Sequence, residues 1–506
     1  MNISELKKAQ HTILDNFTSS NQSTIVTKEV SQLWQEAFSS RINFPPLDDL
    51  IVFRRSGATY GVGDPIYTNN NELEKLCRKN AFLLRDDGVT PEFLELLSES
   101  AIGSPRLSSE HLYSFEASPN YLKNLRNAYR IFKHLSPYFG DKLINICEIG
   151  AGYGMLATML YRLFRVRNYT IIDLSQNLYL SAFYLSANFP DKSIRFIVKN
   201  TRKLDDLCDL NFVLAEDVEK IKCNFDLIIN TDSFGEMPVA TARYYVEWAK
   251  EHLEDGGILH TDNRIRVPNN HGPQDFEDLS YLSDYNFFHV DGTRTQAEIF
   301  SQPHHILFLE KKTGSIACNK FWNPVALIYS VGLAESIDPY VKTGSDSLSS
   351  EVKQLITKLF KLKERKQILN LISQLKKYTP NYPFLNYLIF MALFAGGFKL
   401  EIYLDSLISY LGSNKREPAD VIAMIVCISL FKSGKLPKSL DAKASNLEDA
   451  FRVKYPHLSM DLDLLIKNPN LTLRATARYA AEAILGNKIR SSPFLKISRR
   501  ITGSYI

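Results

Sequence analysis

Between residues 141 and 313, short apolar runs alternate with longer segments of helical periodicity, and this alternation limits the fold more than any other feature. The runs "LINICEI", "YTIID", "NFVLAE", "FDLIIN", "GGILHT" and "HHILFLEKK" have strand length and carry apolar residues at consecutive positions, the pattern of a strand buried on both faces. Between them, "GMLATMLYRLF", "QNLYLSAFYLSANF" and "VATARYYVEWAKEHL" repeat apolar residues at helical spacing. Strand and helix in alternation predict an α/β fold, with a mostly parallel sheet covered on both sides. "SIRFIV" reads as a further strand whose place in the order the sequence does not fix.

A chain of 506 residues has room for two or three domains. Residues 1–140 read as a mixed, mostly helical extension, expected to act as a lid over cofactor and acceptor. It opens with helical patterning around "VSQLWQEAF", passes through "GATYGVGDPIYTNNN", and reaches the amphipathic "PEFLELLSES" and "YLKNLRNAYRIFKHL". In the last of these, Leu122, Leu125, Tyr129 and Phe132 fall on one helical face. Residues 314–344 read as a linker, with "GSIACNKFWNP" and, just beyond, "KTGSDSLSS" as the loop-like stretches. Residues 345–506 read as an all-α interaction domain of stacked helical hairpins. Its helix candidates are "EVKQLITKLFK", "ERKQILNLISQLKK", "FLNYLIFMALFAGG", "KLEIYLDSLISYLG", "ADVIAMIVCISLFKSGK" and "TLRATARYAAEAILG", with Gly396, Gly412, Gly434 and Gly486 at the cap positions.

Charge and cysteine usage exclude some classes. A net charge of +4 is small for this length, and no nucleic-acid partner is expected from it. The six cysteines form no CxxC pair, so neither a zinc site nor a disulfide framework is read, in keeping with a reducing cytoplasm. "MNISELKKAQHTILDNF" lacks the apolar core of a signal peptide. The uncharged stretch from Tyr378 to Phe398 is interrupted by Pro380 and Pro383, which leaves it short of the roughly 20 residues a membrane-spanning helix needs. No transmembrane segment is expected.

The first core strand runs into "CEIGAGYGM". Gly150, Gly152 and Gly154 permit a tight turn and close approach of a ligand to main chain, and the following helix offers unpaired N–H groups. A dinucleotide fold uses G-x-G-x-x-G; here the third glycine comes one residue early, and Glu148 precedes the first. "YTIID" ends in Asp173, placed to accept both hydroxyls of a ribose. "NFVLAED" ends in Glu216 and Asp217, a further acidic pair at a strand end. "FDLIINTDSFGEMP" ends in a polar loop. Four strand ends with this chemistry point to one nucleoside-containing ligand.

Glu148-x-Gly150-x-Gly152-x-Gly154 is similar to the form seen in S-adenosylmethionine-dependent methyltransferases. Within that group the chain resembles the sugar O-methyltransferases of bacterial polysaccharide gene clusters. The likeness lies in "EIGAGYGMLA" (148–157), "IIDLSQNLYLSAFYLS" (171–186), "INTDSFGEMP" (229–238) and the upstream "SPNYLKNLRNAYRI" (118–131). It covers about residues 110 to 313, and nothing of the C-terminal third. It implies a Rossmann-like class I methyltransferase fold and S-adenosyl-L-methionine as donor. The donor contacts expected on this basis are Tyr121, Arg126, Glu148, Gly150, Gly152, Tyr153, Gly154, Asp173, Leu174, Glu216, Asp217, Asn230 and Thr231. The acceptor implied is a sugar or glycan, linked to a nucleotide, a lipid or a polymer.

Methyl transfer to a weakly acidic sugar hydroxyl calls for an aligned acceptor and a base or metal. Asp232, Glu236 and His304 are the catalytic candidates. Asp232 and Glu236 are four apart, so a helical turn after Ser233 would put both on one face. There they would bind hydroxyls, hold magnesium or manganese, or supply the base; alternatively Glu236 caps the helix near Pro238. In "LHTDN", Asp262 is a further polar candidate, while His260 lies inside a strand and reads as structural. The adjacent His304 and His305 point to opposite faces and do not ligate one metal. "RIRVPNNHGPQDFEDLSYL" (264–282), with Arg264, Arg266, Asn269, Asn270 and His271, has the length of an acceptor loop. The end of the chain, "FLKISRRITGSYI", reads as a frayed basic tail or as a segment docking on an anionic inner membrane or a partner enzyme. The helical region as a whole is expected to bind a protein partner or a second copy. Two other readings stay open: a methyltransferase for RNA or protein, and a non-catalytic scaffold of the same fold.

Overall fold

The structure is a computed structural model. It describes residues 45–55, 70–110, 115–197, 207–264, 285–291, 304–311, 365–378, 420–436, 441–455 and 459–473, with isolated positions outside these stretches. The chain divides into two compact units, Met1–Gln274 and Asp275–Ile506.

Among its continuously described stretches, the first unit has helices α1 (Leu47–Ile51), α2 (Asn70–Asp87) and α3 (Pro91–Leu96), then the short antiparallel strands β1 (Ser108–Glu110) and β2 (Phe115–Ala117). Arg54 is buried here and ion-pairs with Glu99. It also donates to Ser118 Oγ at 2.9 Å and to the Ser100 carbonyl at 3.2 Å. Glu99 in turn accepts the Ser118 N–H at 2.7 Å. A buried charge pair persists only where hydrogen bonds satisfy both partners, and these bonds fasten the segment around residue 54 to the start of the next helix.

That helix, α4 (Pro119–Phe139), has a capped first turn: the Ser118 hydroxyl accepts the Tyr121 N–H at 3.1 Å, and Pro119 occupies a first-turn position. Its fully buried stripe is Leu122, Leu125, Ala128, Ile131 and Leu135. Tyr129 and Phe132, expected on that stripe, are half-buried. Their rings instead meet Phe93 of α3, with centroids 5.0 and 5.9 Å away.

The core alternation follows as β3 (Ile144–Ile149), α5 (Met155–Leu163), β4 (Val166–Asp173), α6 (Ser175–Asn188), β5 (Ile194–Ile197), β6 (Leu210–Leu214), β7 (Phe225–Thr231), α7 (Val239–His252) and β8 (Leu253–Arg264). These strands are parallel and lie in the order β5-β6-β4-β3-β7-β8. "SIRFIV" thereby becomes the edge strand β5, beside β6. The chain leaves β3 toward β4 and β6, then returns to lay β7 on the other side of β3. Such a reversal opens a crevice at the C-terminal ends of the strands. The helix α6 is buried at every position from Asn177 to Ala187. Covered on all sides, it needs no polar face, which explains the run of aromatic and aliphatic residues in "NLYLSAFYLSA".

In the second unit, β9 (Tyr285–Asp291) and β10 (His304–Lys311) pair antiparallel, with Leu307 opposite Val290. Among the described residues four helices follow: α8 (Arg365–Leu375), α9 (Asp420–Lys432), α10 (Asp441–Lys454) and α11 (Ser459–Lys467). Ile422 to Ile428 of α9 are all buried, and α9 packs against α10 and α11. Gly434, at φ +65°, ends α9 as its sequence predicts, with the Lys435 N–H donating to the Leu430 carbonyl at 2.9 Å. The helices α8 and α9 match predicted segments, whereas α10, α11 and β9 are additional to the prediction. The segments "VSQLWQEAF", "GSIACNKFWNP", "KTGSDSLSS" and "FLKISRRITGSYI", the loop 265–282, and the caps at Gly396, Gly412 and Gly486 lie outside the described residues. Among the described residues no helix is long and apolar enough to cross a membrane.

Candidate functional site at the C-terminal ends of the strands

The turn after β3 passes through Gly150, Gly152 and Gly154 at φ +77°, +59° and +87°, a region that disfavours side chains. At Gly150 the reason is also a neighbour within the protein. A Cβ there would lie 2.1 Å from Ser233 Oγ and 2.4 Å from Ser233 Cβ. The loop after β7 is therefore seated directly on the glycine turn.

Asp173, at the tip of β4, holds the same turn from the other side. One carboxylate oxygen accepts the Gly152 N–H at 3.0 Å. The other accepts the Leu174 N–H at 2.7 Å and the Asn177 side-chain amide at 2.9 Å. Leu174 is the residue preceding α6. Asp173→Asn replaces one acceptor oxygen by a donor and sets it against at least one of these N–H groups. Urea unfolding without any ligand should show a loss of about 2 kcal/mol; an unchanged midpoint would mean these bonds do not hold the turn.

Glu148 is wholly buried in β3 behind the turn. Its Oε2 accepts the Tyr169 hydroxyl at 2.7 Å, and its Oε1 has no hydrogen-bond partner among the described residues. Burial pushes its carboxyl up to about 7; the Tyr169 bond opposes part of that rise and the Asp173 charge adds to it.

At the tip of β7, Asn230 is a fully buried tie. Its amide donates to the Ile149 carbonyl at 2.8 Å, and its carbonyl accepts the Phe234 N–H at 3.0 Å and the Asn263 amide at 2.9 Å. Thr231 follows, half-buried, and then Asp232 at φ +62°. The Asp232 N–H donates to the Asp262 carbonyl at 2.7 Å, and its carboxylate ion-pairs with Lys123 of α4.

Helix α4 also reaches the glycine turn, where Asn120 donates to the Tyr153 hydroxyl at 2.9 Å. The Tyr153 ring packs edge-on against Phe53 and Tyr184, with centroids 5.2 and 5.1 Å away. Glu148, Gly150, Gly152, Tyr153, Gly154, Asp173, Leu174, Asn230, Thr231 and Asp232 thus belong to one connected region. Other expected residues have their polar groups engaged elsewhere. Tyr121 donates to the Leu97 carbonyl at 2.6 Å. Arg126 and Arg130 both bind Asp87, at 2.6 and 2.8 Å. Burial alone would raise the Asp87 carboxyl, but the two guanidinium groups outweigh it and hold it below the usual carboxylate range. After β6, Glu216 is exposed, and Asp217 is buried and paired with Lys220 at 2.7 Å.

Asp232 and Glu236 do not share an α-helical face. Asp232 is left-handed, and the turn that follows, Phe234–Glu236, is a single turn of 3₁₀ helix. His260 is buried inside β8. His304 begins β10, and its side chain lies outside the described atoms. Among the described residues no group of three or more His, Cys, Asp or Glu is placed to hold a metal ion. Sequence reasoning missed Lys123, whose partner Asp232 is 109 residues away; a lysine on an amphipathic helix carries no local sign of such a partner.

The parallel order, the reversal beside β3 and the glycine spacing with Glu148 before it coincide. This is the class I methyltransferase fold. No family model matches the chain, and no curated protein matches it. Among solved structures it is similar to magnesium protoporphyrin IX methyltransferase from Synechocystis PCC 6803 with bound SAM, at 11% identity over 46% of this chain and 97% of that one, with a TM-score of 0.28. It is similar also to N-methyltransferase NodS from Bradyrhizobium japonicum WM9 in complex with S-adenosyl-L-homocysteine, at 13% identity over 37% and 87%, with a TM-score of 0.27. The methyltransferase-fold reading rests on the chain's own topology and turn.

Proposed function

We propose that the protein is an S-adenosylmethionine-dependent O-methyltransferase acting on a sugar hydroxyl in the assembly of a surface polysaccharide or glycan. The observation that carries the reading is the glycine turn at the sheet's reversal, gripped by Asp173 and backed by buried Glu148. The residues suit the donor's chemistry. A buried carboxylate oxygen on Glu148, without a hydrogen-bond partner among the described residues, matches a cationic amino group. The Asp173 carboxylate at a strand tip matches a ribose diol, and Glu216 or Asp217 matches an adenine amino group. When bound, the donor supplies an electrophilic methyl on its sulfonium.

Asp232 is the base in this reading. The donor would give its methyl to the acceptor oxygen, the electron pair of the carbon–sulfur bond staying with sulfur. The Asp232 carboxylate would take the hydroxyl proton. That proton becomes strongly acidic as the oxygen is alkylated, so a carboxylate suffices if it is ionised and in place. The sugar assignment is supported by the polar tip residues and by the likeness in three sequence motifs. In the same reading, residues before 140 wall the acceptor side, and the helical residues from 345 onward bind a partner or a second copy at the cytoplasmic face of the membrane.

Incubation with methyl-labelled donor, a panel of nucleotide sugars and extracted surface glycans, followed by product mass, tests the proposal. A hexose-containing product heavier by one methyl group is expected. Label appearing in RNA or protein instead would replace the sugar reading.

A further inference from the structure

The Lys123–Asp232 pair has features that packing alone does not require. Asp232 is one of two non-glycine residues with positive φ among those described. A backbone held there costs of order 1–3 kcal/mol and persists only where its surroundings fix it. Two described contacts help to fix it here. Its N–H is bound to the Asp262 carbonyl at 2.7 Å, and its carboxylate is ion-paired with Lys123. The next residue, Ser233, rests on Gly150, so this strained position adjoins the glycine turn. The pair is partly open: the two side chains are 21% and 22% exposed, although Asp232 Oδ1 itself is buried. Its lysine comes from α4, the helix that also holds Tyr153 of the turn through Asn120. One helix therefore contacts both the glycine turn and the carboxylate at the tip of β7.

We propose that Lys123 is a positioning residue for methyl transfer, holding the Asp232 carboxylate oriented toward the acceptor hydroxyl. The proposal rests on the reading of the site as a methyltransferase centre. Lys123 does not bond to the methyl or take the proton. The contact selects one orientation of a side chain on a strained backbone. The acceptor proton then meets a carboxylate already in place. The consequence is a division of labour along α4: Asn120 steadies the donor turn and Lys123 the acceptor end.

The test uses the full chain and three variants, Lys123→Met, Lys123→Arg and Asp232→Asn, with the double variant Lys123→Met/Asp232→Asn. Donor binding is read by calorimetry with S-adenosylmethionine, and turnover with the labelled donor and the sugar and glycan panel above. Lys123→Met is expected to bind donor within about twofold of wild type while kcat falls at least tenfold. Lys123→Arg should recover a substantial part of that loss, because it restores the charge. The double variant should be no slower than Asp232→Asn alone, since the lysine acts only through the aspartate. Loss of donor binding in Lys123→Met in step with its melting temperature would overturn the proposal and assign the pair to folding. Wild-type turnover that Lys123→Met leaves intact would overturn the positioning role alone. Wild-type protein that binds donor and methylates none of the panel would overturn the sugar reading, and this role with it. Wild-type protein that does not bind donor would overturn the methyltransferase reading itself.

Discussion

Gly150→Val is expected to destabilise the native fold by about 2–5 kcal/mol. Two costs combine at this position. A β-branched residue at φ +77° pays for a left-handed backbone, about 1–2 kcal/mol or more. Its Cβ also overlaps Ser233, which would approach to 2.1 Å, and forced overpacking costs about 1–3 kcal/mol. Their sum is a large part of the roughly 5–15 kcal/mol that stabilises a typical domain. The overlap cannot be relieved cheaply, because the Ser233 loop is tied through Asn230 to the end of β3 and to Asn263 of β8. Thermal unfolding of Gly150→Ala with and without Ser233→Gly separates the two costs. The second change should restore the part of the melting temperature that belongs to the overlap and none that belongs to φ. A Gly150→Val protein that melts like wild type would show that the loop is not seated on the turn.

Glu148 should impose a pH dependence on stability in which the protein weakens as the solution becomes more alkaline. Its carboxyl is raised from an ordinary 4.5 to about 7, chiefly by burial. Below about pH 4.5 the group is protonated in both folded and unfolded chains and contributes no difference. Between about 4.5 and about 7 the unfolded chain gives up its proton and the folded chain keeps it, so unfolding is favoured more with each step in pH. Above about 7 both are ionised and the full difference remains, on the order of 3 kcal/mol. Glu148→Gln removes the titration and keeps an oxygen that can accept the Tyr169 hydroxyl. Urea unfolding at pH 5 and pH 8 should show the variant losing less stability than wild type over that interval, by roughly this amount. Parallel losses in the two proteins would mean that Glu148 is not buried as a carboxyl in the folded chain.

The parallel strands and the helices between them were legible because each is buried enough to be apolar at nearly every position, as in "INICEI" and "NLYLSAFYLSA". The strand β9 was not. "YNFFHVD" mixes polar and aromatic residues, and it becomes a strand through its antiparallel pairing with β10. At the site, the glycine turn, Glu148 and Asp173 were legible because they follow one strand end and the next. The turn's own need for glycine was only partly legible: Ser233, which excludes a side chain at Gly150, is 83 residues further on. Charge pairing was not legible at all. Arg54–Glu99, Arg126–Asp87 and Lys123–Asp232 each join residues far apart in sequence, and nothing in local periodicity marks one charged residue as another's partner. The expected helical face for Asp232 and Glu236 failed for a local reason: a left-handed residue and one 3₁₀ turn replace the α-helical spacing.

The most direct test of the central claim is calorimetric titration of the full chain with S-adenosylmethionine, with S-adenosylhomocysteine and NADH in parallel. The account predicts saturable one-to-one binding of the first two and none of NADH, because the glycine turn lacks the dinucleotide spacing. No saturable heat with S-adenosylmethionine, or binding of NADH in its place, would contradict it.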